Sequence, residues 1–157
     1  MPKRTVSSLL VVTASLCLTF PVRAGFEPRT PLKFDAFGQV GCAEEVVRLE
    51  NYAKELNRQP SALAVVAVYG GRRDTREGEV VARLFRIRDH LIHRNSIDPN
   101  RIVMVDGGFR ERLEMVFWIV PSESRDAVWV LLSSEISSKD VRLKAPVSSK
   151  WTYKCVS

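Results

Sequence analysis

The chain is poor in the residues that metal and nucleophile chemistry require. Its 157 residues include only two histidines and three cysteines. His90 and His93 lie three apart on one predicted helix, and a zinc site would need further ligands that the pattern does not supply. No serine stands in a G-x-S-x-G motif, which is the setting of a hydrolase nucleophile. The sequence therefore predicts a protein that is not an enzyme, with no catalytic residue, no metal and no cofactor.

The chain also lacks an apolar run long enough to cross a membrane. Its N-terminal run, Val6 to Phe20, is about fifteen residues long, whereas a membrane-spanning helix needs roughly 20. The run follows two basic residues and precedes small residues at positions 22 and 24, which is the layout of a secretory signal peptide with an A-x-A-like cleavage site. We expect residues 1–24 to be cleaved between Ala24 and Gly25, giving a periplasmic or secreted protein with no permanent transmembrane segment.

Excess positive charge is small once this leader is removed. The formal net charge is +6, but residues 1–24 carry three of the 24 basic residues and none of the 18 acidic ones, so the mature charge is 21 minus 18, or +3. Dedicated nucleic-acid binding usually requires a strongly basic domain, and the sequence therefore predicts no nucleic-acid partner. The remaining 133 residues, 157 minus 24, suit one domain with a single core.

Two cysteines remain after processing, Cys42 and Cys155, near opposite ends of the mature chain. In an oxidising compartment an even pair usually forms a disulfide. The bond would close a loop of 155 minus 42, or 113 residues, and remove roughly 4 to 5 kcal/mol of unfolded-state entropy. The alternative is two unpaired thiols. The third cysteine, Cys17, follows Leu16, where lipidation would require a small residue, so the sequence argues against a lipoprotein.

Strand and helix patterns alternate along residues 32–120. A valine-rich run, Leu63 to Tyr69, has no polar face and predicts a central strand covered on both sides. Apolar residues at spacings of three and four predict two helices, the first of which turns its acidic residues, Glu45 among them, towards solvent. The predicted elements are a strand at 32–37, a helix from 42 to 59, a strand at 63–69, a helix at 77–94, and strands at 101–106 and 113–120.

The order strand, helix, strand, helix, strand, strand predicts a compact α/β (α+β) sandwich with two helices packed on one mixed sheet. The close final pair of strands predicts a hairpin through residues 106–112. Residues 122–157 differ in kind, because nine serines interrupt them and only Ala127 to Leu132 is typical of a strand. The sequence thus predicts one domain at 25–121 and a partly ordered, serine-rich extension at 122–157, for which the alternative is a mobile tail.

Three stretches follow the order of a known domain family. They are KFDAFGQVGCAEEVVRLENYAKEL, then the buried valine-rich strand ending in Gly70, and then HLIHRNSIDPNRIVMVDGG. Together they resemble the OmpA-like C-terminal domain of bacterial envelope proteins, over about residues 33–121. The resemblance implies a periplasmic, peptidoglycan-associating domain that binds the wall non-covalently and tethers the outer membrane to it.

The chain departs from this family at the ligand motif. After the central strand the family has Gly, an aromatic residue or His, Thr and Asp, and the Asp and a later helical Arg clasp the diaminopimelate of the peptide stem. Here Arg73 stands where the aspartate is expected, Asp74 comes one residue later, and Arg83 matches the helical arginine. The resemblance therefore implies the fold, while the ligand contacts at Arg73 must differ.

A cationic, glycine-rich segment follows the central strand, at the sheet edge where ligands of open α/β sheets bind. Glycine backbones and helix N-termini favour anions, and arginine adds bidentate recognition of carboxylate or phosphate. Along the next helix Arg83, Arg86, His90 and Arg94 recur on one side. Phe109, beside the second glycine pair, could stack on a sugar ring; the alternative is that this segment only makes the hairpin turn. The candidate ligand-binding residues are Gly70, Gly71, Arg72, Arg73, Asp74, Arg83, Arg86 and Phe109.

These residues support two hypotheses of different classes. The first is a non-enzymatic binding module for peptidoglycan or another anionic envelope glycan or peptide. The second is an envelope protein–protein interaction or assembly subunit that has lost wall binding, with its partner at the region of Trp118 and Trp129. Three alternatives stay open. In the first, the arginines and glycines of the candidate site form only a solvated surface and its turns in place of a ligand site. In the second, Glu111 and Glu114 are solvent-facing strand residues in place of an acid/base pair, and the third alternative is a hydrolase that depends on His90 and His93.

Overall fold

The structure is a computed structural model that describes residues 30–131 and 138–147, with the backbone alone at 127–131. The predicted signal peptide, Cys155 and Leu132 lie outside the described residues. The cleaved leader and the disulfide between Cys42 and Cys155 therefore stay predictions. Within the two described ranges, no helix is both long enough and apolar enough to cross a membrane.

The elements follow the predicted order, and the prediction of two helices on one mixed sheet is confirmed. The second helix begins after Gly78, whose φ of 78° suits glycine, and it ends in a π turn at His90–Arg94. The third strand is longer than predicted and includes the second glycine pair. The bounds are β1 Leu32–Phe37, α1 Cys42–Arg58, β2 Leu63–Gly71, α2 Glu79–Asp89, β3 Ile102–Arg110 and β4 Glu114–Val120, with 3-10 turns at Pro99–Arg101, Ser122–Leu131 and Ser138–Asp140.

The four strands lie in the order β1, β4, β2, β3. β2 runs parallel to β3 and antiparallel to β4, and β1 runs antiparallel to β4. The predicted hairpin through residues 106–112 is wrong, because β3 and β4 lie on opposite sides of β2 instead of pairing with each other. β2 is the most apolar strand, and its position between β3 and β4 gives its N–H and C=O groups hydrogen-bond partners on both edges. A strand excluded from water requires such partners. The connection at 111–113 therefore crosses the carboxyl end of β2.

β2 is the centre of the core, and all nine of its residues are buried. Its Val66 side packs on the helices, with Leu56 of α1, Ile87 of α2 and Phe117 of β4 in the same cluster. The opposite side carries smaller clusters, one of which joins Tyr69 to neighbouring strands. The prediction of a central strand covered on both sides is confirmed.

Residues 127–131, the described part of the strand predicted at 127–132, do not form a strand. The backbone takes 3-10 turns from Ser122 to Leu131, with a kink at Ser124. β4 has β1 on one side and β2 on the other, so the chain leaves the middle of the sheet with no free edge beside it. A strand here could not pair directly with β4, and the backbone takes 3-10 turns instead.

Candidate functional site

The candidate loop, residues 72–78, connects the carboxyl end of β2 to α2. The two glycines before it are buried against neighbouring groups. A Cβ atom on Gly70 would lie 2.9 Å from the Phe109 ring, and one on Gly71 would lie 2.5 Å from the Leu113 backbone nitrogen and collide with the Asp74 carboxylate. Close packing beneath the connection from β3 to β4 thus explains this glycine pair, and neither glycine is exposed to a ligand.

Buried polar contacts hold the candidate loop in one conformation. The Thr75 Oγ1 accepts a hydrogen bond from the Gly71 N–H at 2.6 Å. Glu79 reaches back from the first turn of α2, where its Oε2 accepts from the Arg76 N–H at 2.9 Å. Both Thr75 and Glu79 are buried, and the bond from Gly71 to Thr75, which is buried at both ends, is shielded from competing water. The arginine side chains that the loop carries therefore start from a fixed backbone.

Arg72 and Arg73 carry the loop's cationic surface. The Arg72 N–H donates to the Arg110 carbonyl oxygen at 2.9 Å, and its Nη1 lies 3.0 Å from Glu111 Oε1 in the crossing connection. Arg73 is exposed, and within residues 30–131 and 138–147 no carboxylate forms an ion pair with it. Both arginines line a cleft of about 330 Å³, which is completed by Lys139, Asp140 and Arg142.

The far wall of this cleft comes from residues 138–147, which we call the strap. The strap runs beside the candidate loop and forms a parallel bridge to it. The Arg142 N–H donates to the Arg72 carbonyl oxygen and the Lys144 N–H to the Thr75 carbonyl oxygen, both at 2.9 Å. Sequence reasoning missed the strap cations, although the run KDVRLK at 139–144, set within a serine-rich stretch, is the signal that could have found them.

Asp74 lines a different cleft from its neighbour Arg73. Its Oδ2 makes a long contact, 3.5 Å, with the Leu113 N–H. The cleft has a volume of about 680 Å³ and is lined by charges of both signs, of which Arg110 and Glu114 pair with each other. The remaining lining residues are Ala36, Phe37, Gly38, Gln39, Glu111, Arg112 and Leu113. Asp74 and Arg73 therefore serve separate surfaces.

Arg83 lies in the interior of the fold. Its side chain is 1 % exposed, and its Nη2 and Nε lie 2.7 Å and 3.0 Å from Glu79 Oε1. The Glu79 side chain is itself only 8 % exposed. Residues four apart lie on the same face of a helix, and this face of α2 packs inward. The structure thus places Arg83 in a buried ion pair, away from the cleft that Arg73 lines.

Arg86 is turned towards the first helix. Its Nη2 forms an ion pair with Glu45 of α1, whose side chain is 2 % exposed. The expectation that Glu45 faces solvent is therefore wrong, because the first turn of α1 lies within reach of α2 and places this carboxylate between the two elements. The predicted row of cations divides accordingly: Arg83 is paired in the interior, Arg86 is paired and partly buried, and Arg94 is exposed.

Phe109 lies within β3 rather than at the tip of a loop. It is paired with Gly70 in the sheet register, and its ring fills the space that a side chain there would occupy. Gly107 is required for a similar reason, since a Cβ atom would lie 2.6 Å from Cδ1 of the buried Tyr69. The Arg110 guanidinium lies 3.7 Å from the centroid of the same tyrosine ring. Packing therefore accounts for Phe109 and Gly107, whereas Gly108 has a φ of 80°, which glycine adopts without strain.

The two histidines lie in the π turn that follows α2. His93 is exposed, with its Nε2 3.4 Å from Asp89 Oδ1. His90 is partly buried, and this burial, reinforced by the positive charge of Arg94, lowers the pKa of its imidazole below the ordinary value, although two nearby glutamates offset part of the effect. Among the described residues, no group of three or more His, Cys, Asp or Glu side chains is arranged to hold a metal ion.

The predicted partner surface around Trp118 is only partly exposed. Trp118 packs against Val65 and its neighbours on the second side of the sheet, and the Trp129 side chain lies outside the described residues. Exposed apolar side chains occur on several elements, and α2 carries two of them close together, Phe85 at 68 % and Val81 at 48 % exposed. They line a shallow apolar groove together with Leu84, Arg88 and Met104.

The chain matches no model of a known protein family, and no curated protein sequence is significantly similar to it. The resemblance to OmpA-like domains therefore depends on the residues quoted above, and it stays a hypothesis.

Proposed function

We propose that the protein is a periplasmic, non-enzymatic binding module that holds an anionic component of the cell envelope, with peptidoglycan as the first candidate. One observation carries the proposal. Cations from two distant parts of the chain, Arg72 and Arg73 on the candidate loop and Lys139 and Arg142 on the strap, line the same cleft. Like charges repel each other, and a fold that sets four cations against the single carboxylate of Asp140 around one opening gains by admitting an anion.

The stiffness of the candidate loop supports binding rather than a merely solvated surface. Its backbone is fixed by Thr75 and by Glu79, so a bound anion does not have to order the loop first. Pre-organisation of this kind reduces the entropic cost of binding. Arginine is also the side chain best suited to grip a carboxylate or phosphate through two parallel hydrogen bonds.

The arrangement favours a ligand contact different from the one that the family resemblance implies. Arg83 is in a buried pair, and Arg73, at the position of the expected aspartate, is exposed at the cleft. An ammonium group of a wall peptide would be repelled there, whereas its carboxylates would be attracted. Binding to the wall would therefore depend on acidic groups of the ligand.

Co-sedimentation with purified wall sacculi tests this function. We expect the parent chain to co-sediment and Arg73→Ala to be depleted from the pellet, because the exposed Arg73 guanidinium has no carboxylate partner among the described residues. Arg88→Ala is the matched control, since Arg88 is an exposed arginine that lines the apolar groove instead. Equal retention of the two variants, or no retention of the parent chain, would contradict the proposal.

A second candidate function, assembly with another envelope protein, is favoured by the exposed Phe85 and Val81. Two large apolar side chains side by side on a helix often mark a contact surface. Crosslinking in the periplasm followed by recovery of a defined complex, lost in Phe85→Ser and kept in Arg73→Ala, would support this function over wall binding.

A further inference from the structure

The cleft between the candidate loop and the strap has a composition that restricts its ligand. Every side chain that lines it is charged: Arg72, Arg73, Lys139, Asp140 and Arg142. Among the described residues, it has no aromatic or aliphatic wall against which a sugar ring or an alkyl chain could lie. Small-molecule sites usually gain much of their affinity from such walls. The cleft therefore suits a compact, highly charged group.

The charges that line the cleft favour an anion. Four cations and one carboxylate line it, and Arg72 also pairs with Glu111, so cations outnumber carboxylates among the named residues. A phosphate monoester carries about −1.5 to −2 at neutral pH, and its oxygens fit the planar fork of an arginine. We propose that the cleft binds a phosphate-bearing group and that the strap supplies half of the site. This inference rests on the proposed function, because it uses the same cleft. It adds the class of ligand and the strap residues that would bind it.

The strap is held at the cleft by its backbone. Eight of its ten residues are exposed, and the other two are partly exposed. Its docking depends on hydrogen bonds between main chains, such as the Lys144 N–H to the Thr75 carbonyl oxygen and the Val147 N–H to the Glu77 carbonyl oxygen at 3.1 Å. A ligand that contacts both walls therefore stabilises the docked strap, and docking in turn strengthens binding, because the two equilibria are linked.

Binding of inorganic pyrophosphate to the chain purified after export, measured by isothermal titration calorimetry at low salt, tests the inference. Arg73→Ala, on the loop, and Arg142→Ala, on the strap, should each weaken binding by about tenfold or more, because each removes a charged hydrogen-bond donor. Citrate, a tricarboxylate of comparable charge, should bind at least about tenfold more weakly than pyrophosphate, since none of its carboxylates offers three oxygens on one centre to both walls. Equal binding of the two anions would overturn the ligand class.

The contribution of the strap is tested by a pair of variants at Lys144, which does not line the cleft. Lys144→Pro removes the N–H that donates to Thr75, and Lys144→Ala keeps it. We expect the proline variant to lose about tenfold in affinity and the alanine variant to stay within about twofold of the parent chain. Equal affinities of the two would show that the loop binds alone, and tighter binding by Lys144→Pro would show that the strap covers the site; either result overturns the inference. Arg142→Ala, an exposed substitution, gives an independent reading should the proline variant unfold.

The wall experiment distinguishes failure of this inference from failure of the proposed function. Retention on sacculi without pyrophosphate binding overturns the ligand class and leaves wall association standing. Pyrophosphate binding that follows the variant pattern above, without retention on sacculi, overturns wall association and supports the phosphate site.

Discussion

Substitution of Arg83 by methionine separates a structural role from a ligand-binding one. Methionine fills most of the same volume, so the main loss is the positive charge that faces Glu79 at 2.7 Å. The Glu79 side chain is 8 % exposed and would keep a carboxylate with no cation beside it. Removing one partner of a buried ion pair typically lowers the free energy of unfolding by about 3 to 5 kcal/mol. Since small domains have only about 5 to 15 kcal/mol in total, we expect a large fall in stability.

Urea unfolding followed by circular dichroism measures this loss, and a double variant identifies its cause. Glu79→Gln combined with Arg83→Met removes both charges, while the glutamine oxygen can still accept from the Arg76 N–H. We expect the double variant to recover most of the stability, to within about 1 kcal/mol of the parent chain, since a neutral replacement of a buried pair is often tolerated. Arg58→Met, at an exposed pair on α1, should leave the urea midpoint close to that of the parent chain.

Two results would refute the reasoning about Arg83. If Arg83→Met unfolds at the urea concentration of the parent chain, the arginine is not part of a buried pair, and its assignment to a ligand site regains support. If the double variant is as unstable as the single one, the loss arises from packing around the side chain and not from an uncompensated Glu79.

Three further predictions concern pH, packing and the predicted disulfide. Because the pKa of His90 is lowered in the folded chain, the unfolded chain binds this proton more readily, and the free energy of unfolding should fall as pH drops through about 6.5. In urea unfolding, His90→Gln should lose less of this free energy over the same pH range than the parent chain. Equal losses would exclude a contribution from His90. Gly107→Ala should lower the free energy of unfolding by about 1 to 3 kcal/mol, because its Cβ meets a buried tyrosine ring, whereas Gly41→Ser, with open space at an N-cap, should not lower it. Intact mass after denaturation and alkylation should show two modified cysteines, Cys42 and Cys155, only when a reductant is added first; modification without reductant would disprove the disulfide.

The order of elements could be predicted from sequence because each element carries a strong local pattern. The run LAVVAVY is short, valine-rich and without a polar side, which is typical of a strand buried on both sides. The sheet order could not be predicted in the same way. Two strands separated by a short connection usually pair, yet β3 and β4 flank β2 because the central strand needs partners on both edges. That requirement depends on the arrangement of the whole sheet, so no short stretch of sequence predicts it.

The candidate site was harder to predict because it depends on which charges are solvated. A row of arginines at helical spacing is the same pattern whether its carboxylate partners lie on the same helix, as Glu79 does for Arg83, or on another, as Glu45 does for Arg86. The strap presents the opposite difficulty. Its contacts with the candidate loop are made by the backbone. Backbone hydrogen bonds do not depend on residue type, so the sequence of 138–147 does little to predict these contacts.

Arginine serves two physically different purposes in this chain, and the difference decides where a ligand can bind. A guanidinium withdrawn from water, as in Arg83, must be compensated by a carboxylate, and that pairing leaves it unable to accept another anion without a large cost. A guanidinium in water, as in Arg73, is compensated by solvent that a ligand can displace. We therefore assign the proposed binding to the exposed Arg73 of the candidate loop and to the strap that faces it. By this argument the strap, which the sequence presents as an appendage, is as much a part of the proposed site as the strand that carries the loop.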